Sequence, residues 1–119
     1  MNKVVMEWNG VAARAWLEGR AAHARADQVV ADRRGRAGHD DCDAAAAEEM
    51  VCTLMLRGDA AGGQQALVDA LKGLLERDEF VWRGVYDDRR FDRHVRGYVR
   101  KLIKMARANE GWGNLRRYQ

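Results

Sequence analysis

Proline is absent from the whole 119-residue chain, and with it the residue that most sharply breaks a helix. The rest of the composition leans the same way. Nineteen alanines, few isoleucines and a single threonine, Thr53, leave little strand-forming material. The expected fold class is all-α. At this length one domain is expected, because such a chain buries about two-thirds of the surface that its unfolded form exposes, enough for one core.

Four helices are predicted. The first spans residues 10–33, with Ala12, Ala15, Trp16, Ala22, Ala26, Val29 and Val30 as a face of mostly small residues. Residues 34–42 contain Gly35, Gly38 and Asp40 and read as a loop. A second helix follows, capped by Asp41 or Asp43, with Ala47, Met50, Val51, Leu54 and Met55 at core spacing. Gly58 ends it, and Leu67, Leu71, Leu74 and Leu75 line a third helix running to about residue 78. The fourth covers residues 88–109, capped by Asp87 or Asp88, with Phe91, Val95, Val99, Leu102, Ile103 and Ala106 inward. Residues 3–8 and 80–86 have strand character and would supply a short two-stranded element if one forms.

Composition also removes function classes. A chain without serine has no serine nucleophile and no Ser-His-Asp triad, and Lys72, preceded by Ala70 and Leu71, does not complete a phosphate-binding Walker loop. No signal peptide and no run of 18 apolar residues is present, so a cytoplasmic protein without a membrane partner is expected. Cys42 and Cys52 are too few for a disulfide scaffold and read as reduced thiols.

Charge is distributed unequally. Residues 1–82 form an acidic helical core of net −4, whereas the basic helix and aromatic tail of residues 83–119 carry net +7. In the fourth helix Arg93, Arg96, Arg100, Lys104 and Arg107 form one stripe away from the apolar face, with Lys101 at its edge. Such a stripe suits a phosphate backbone. Arg116 and Arg117 extend it in the tail, where Trp112 and Tyr118 offer stacking surfaces for unpaired bases. Arg33, Arg34 and Arg36 are further candidates if folding brings them alongside. The competing reading is that Glu48, Glu49, Glu76, Asp78 and Glu79 neutralise these cations within the fold or across a dimer.

Other constellations point elsewhere. His39, Asp40, Asp41, Cys42 and Asp43 concentrate ligand-type side chains, but the paired spacing of a zinc finger and the glycine of a calcium loop are missing, and capping accounts for the carboxylates. No metal or cofactor is expected. Arg89 and His94, with four residues between them, resemble the Arg-x4-His element of the HEPN ribonucleases, small all-helical proteins. The resemblance implies RNA cleavage by Arg89 and His94 in a dimer. It covers six residues, and Arg34 stands in the same relation to His39.

The expectation is therefore a non-enzymatic nucleic-acid-binding protein, for DNA or RNA, working through its C-terminal helix and tail. The alternative is a phage or mobile-element accessory protein that inhibits a host complex by protein–protein binding, as anti-CRISPR proteins do, through an acidic partner surface. A homodimer through the leftover alanine and valine surface of the first helix fits either.

Overall fold

The computed structural model describes residues 7–80 and 85–112 in full, together with the backbone of residues 4–5 and 117–118. It is an all-α fold of four helices: α1 (Gly10–Arg33), α2 (His39–Arg57), α3 (Gln64–Leu75) and α4 (Asp88–Ala108). Two 3-10 turns, Gly35–Gly38 and Ala60–Gly62, join α1 to α2 and α2 to α3.

α1 and α2 form an antiparallel hairpin. Ala13, Leu17, Ala21, Ala24 and Ala31 are the buried residues of α1. This corrects the expected face. Ala15, Ala22 and Ala26 are exposed, and Val29 and Val30 are 52% and 60% exposed. Alanine occurs all round this helix, so its spacing does not distinguish one side from the other, and the packing of Leu17 decides. Arg20 to Glu48 at 2.6 Å and Arg25 to Glu49 at 3.2 Å then fasten the two helices along their flanks.

The connection is tighter than a loop. α2 starts at His39, and its N-cap is Gly38 with no side-chain cap, so neither Asp41 nor Asp43 caps it. Gly38 is required by space: a Cβ there would lie 1.8 Å from the carbonyl oxygen of Ala31. Asp43 lies inside the helix and is fully buried.

α3 is shorter than expected, ending at Leu75, and runs antiparallel to α4, with Gln64 donating to the Ala106 carbonyl at one end and Arg96 donating to that of Leu75 at the other. The third helix buries Leu67, Val68, Leu71 and Leu74. α4 buries Phe91, Val95, Val99, Leu102, Ile103 and Ala106, the six inward residues that its periodicity selects. Asp87 caps it through the Arg90 amide at 2.9 Å. It ends in a left-handed Asn109, with the Glu110 amide on the Met105 carbonyl and the Asn109 amide on that of Ala106.

That reversal carries the chain back to the core. Trp112 is fully buried, its ring edge-on to Trp16 at 4.9 Å and to Trp8 at 5.5 Å. Trp8 in turn donates its indole N–H to Ala61 at 2.8 Å. A two-residue strand β1 (Val4–Val5) pairs antiparallel with β2 (Arg117–Tyr118). The N-terminal piece thus pairs with the tail; residues 81–84 of the other expected strand lie outside the described residues.

Candidate nucleic-acid interface

The basic stripe of α4 is continuous in sequence but does three different things in the fold. Arg96 is a structural clamp. Its Nε donates to Asp92 at 3.0 Å, Nη1 to the Leu75 carbonyl at 3.0 Å, and Nη2 to the carbonyls of Arg77 and Asp78, while the guanidinium sits 5.5 Å from the Phe80 ring centre. These carbonyls belong to the end of α3 and the turn after it, and lack partners along the helix. Four of the five N–H groups of this guanidinium are bonded to protein.

Arg93 and Lys101 open onto a groove between α1, α2 and α4 of about 680 Å³, together with His94, Gly97 and Tyr98. Its lining is mixed in charge, because Asp27, Asp41 and Glu48 share it with Arg20 and Arg34. Lys101 also lies over the Tyr98 ring at 5.9 Å.

Arg100, Lys104 and Arg107 open onto the opposite side of α4, into a groove of about 660 Å³ against α3. Lys72 of α3 faces them, and Leu75, Ile103 and Ala108 complete the lining. No carboxylate takes part in this lining. Among the described residues, no ion pair engages any of these four cations. Part of the acidic half is engaged elsewhere: Glu48 and Glu49 pair with Arg20 and Arg25 of α1, Asp59 with Arg14, and Asp41 with Arg34, while Asp78 and Glu79 line a cleft with Arg89 and Arg93.

Of the remaining candidates, Trp112 is withdrawn into the core, which corrects its reading as a base-stacking surface. The turn at Asn109 aims it inward, and the rings of Trp8 and Trp16 receive it. Arg116 lies outside the described residues, as do the side chains of Arg117 and Tyr118. Lys72 was not singled out by the sequence. It is the only cation of α3, and the antiparallel packing of α3 on α4 brings it to the groove.

The pair that resembles the HEPN element is divided. His94 hydrogen-bonds Asp40 at 3.0 Å and lines the mixed groove, whereas Arg89 lines a neighbouring cleft with Asp78, Glu79, Asp87 and Asp92, the two meeting at Arg93. The His94 contact holds the Asp40 carboxyl below its ordinary range. His39 stacks on Tyr86 at 3.8 Å, and Cys42 directs its thiol to the Gln28 carbonyl. Among the described residues, no group of three or more His, Cys, Asp or Glu is arranged to hold a metal ion, and no helix is long and apolar enough to cross a membrane.

No protein-family model matches this chain, and neither the curated proteins nor the solved structures contain a significant match to it.

Proposed function

We propose that this chain is a non-enzymatic nucleic-acid-binding protein of the cytoplasm, and that it holds phosphates with Arg100, Lys104 and Arg107 of α4 and Lys72 of α3. The observation that supports this reading is the groove in which these four cations converge with no carboxylate in its lining. A solvated helix face needs charge for solubility, but it does not need a second helix to add a cation of the same sign. Crowding like charges is unfavourable until an anion arrives, and a polyphosphate backbone repays it by releasing its own condensed counterions.

Fluorescence anisotropy with labelled DNA and RNA across a salt series tests the proposal. Four phosphate contacts give a slope of log K on log salt of about −3. Replacing Arg100, Lys104 and Arg107 together by Gln should flatten that slope and weaken binding on all sequences alike. Absence of binding at low salt would refute the reading and direct attention to an acidic surface on a host protein complex.

A further inference from the structure

We propose that the α3/α4 groove takes a single strand in preference to a duplex; this deepens the nucleic-acid reading above and rests on it. The groove has a cationic rim and an apolar floor. Lys72, Arg100, Lys104 and Arg107 form the rim, while the half-buried Leu75, the buried Ile103 and the exposed Ala108 form the floor. A duplex keeps its bases stacked inside, so it presents such a groove with phosphate and sugar and leaves an apolar floor wet. A single strand carries phosphates and apolar base faces on one chain, and can satisfy rim and floor together.

The setting of α4 argues the same way. A helix that reads a duplex presents an unobstructed outer face to the major groove, which is about 12 Å wide. α4 is packed against both α2 and α3, and the cations in question lie beside α3 in a recess between the two helices. Arg100 and Arg107 add planar guanidiniums, which stack on exposed bases as well as pairing with phosphate.

The test compares one labelled DNA oligonucleotide, free and annealed to its complement, by anisotropy at constant salt. Single-strand binding tighter by about tenfold or more is expected, the size of one lost base contact. Leu75→Gln should remove much of that preference, lowering single-strand affinity more than duplex affinity. Ala108→Gln, on an exposed position at the end of α4, repeats the test without touching the core, and circular dichroism checks that each variant folds. Equal or tighter duplex binding, or a preference unmoved in both folded variants, would overturn the single-strand proposal and leave the nucleic-acid reading standing. Binding of neither form would overturn both.

Discussion

Oδ2 of Asp43, fully buried on α2, lies 2.7 Å from both Nε and Nη2 of Arg90 on α4. The other carboxylate oxygen accepts the Tyr86 amide at 2.9 Å, so one side chain fixes both the start of α4 and the segment leading into it. A buried charge is tolerated only while it is paired. Removing either partner therefore has unequal consequences. Asp43→Ala strands the Tyr86 amide at a cost of roughly 1–3 kcal/mol, but leaves Arg90 able to turn to solvent. Arg90→Ala leaves the carboxylate buried without a counterion and should be the more destabilising of the two. Urea denaturation of both variants checks this order, and the reverse order would mean that the bond from Asp43 to the Tyr86 amide outweighs its ion pair with Arg90.

Gly38 and Gly19 make opposite predictions for the same substitution. Gly38→Ala drives a Cβ into the Ala31 carbonyl and should prevent the α1/α2 hairpin from closing. Gly19 is in the middle of α1 with no atom within 4 Å of the place where its Cβ would be, so Gly19→Ala should stabilise by about 0.5–1 kcal/mol. Thermal melts of the two variants distinguish them. Destabilisation by Gly19→Ala would indicate that another surface approaches α1 closely at that point.

The fourth helix was fully legible in sequence because its apolar residues are large and sparse among charges, so one face alone is consistent with burial. α1 was not, because alanine carries almost no directional signal: of its expected face Trp16 packs on the core, whereas Ala15, Ala22, Ala26, Val29 and Val30 are exposed. The cap at the start of α2 was misread for a related reason: Asp41 and Asp43 are good capping residues by type, but the close approach of Gly38 to Ala31 starts the helix earlier and leaves Asp43 facing inward, where Arg90 meets it. The candidate site was half legible. Arg100, Lys104 and Arg107 could be read from one helix, whereas the contribution of Lys72 and the diversion of Arg96 depend on α3, which sequence spacing does not position against α4.

Trp112 has the only buried side-chain polar atom without a hydrogen-bond partner among the described residues, its indole nitrogen. Its ring fills the end of the core, so Trp112→Ala should cost about 3–5 kcal/mol. Trp112→Phe keeps an aromatic ring against Trp8 and Trp16 and removes the stranded N–H, so most of that loss should be recovered. Denaturation midpoints of the two variants measure the difference. Equal losses would mean that the N–H is satisfied in solution.

Burial pushes the Cys52 thiol up to about 11, and its contact with the Tyr98 hydroxyl at 3.5 Å only partly offsets this. A thiol whose folded value is raised contributes stability that is complete below the unfolded value of about 8.5 and is lost as pH climbs from there towards 11. The melting temperature should therefore fall across that alkaline window, and less so in Cys52→Ala relative to its own neutral-pH value. At pH 8 iodoacetamide should leave Cys52 unmodified in the folded protein, with the slightly more accessible Cys42 reacting first, as mass spectrometry would resolve. Labelling of Cys52 at the rate seen in urea would contradict its burial.

Arg96 and Arg100, four residues apart on one helix, separate the two jobs of the basic stripe. The Arg96 side chain satisfies three main-chain carbonyls and Asp92, whereas Arg100 lies exposed on the groove. Arg96→Ala should lower stability by roughly 1–3 kcal/mol, since the end of α3 loses its donors, and any loss of binding should follow from unfolding and disappear when the protein is assayed well below its melting temperature. Arg100→Ala should leave the melt unchanged and reduce the salt slope by about 1. Measuring melt and salt slope on both variants gives a two-by-two comparison with opposite diagonals. Were Arg96→Ala to alter the slope in a fully folded protein, its guanidinium would have to leave the α3 carbonyls for phosphate, and the binding surface would extend one turn towards the start of α4.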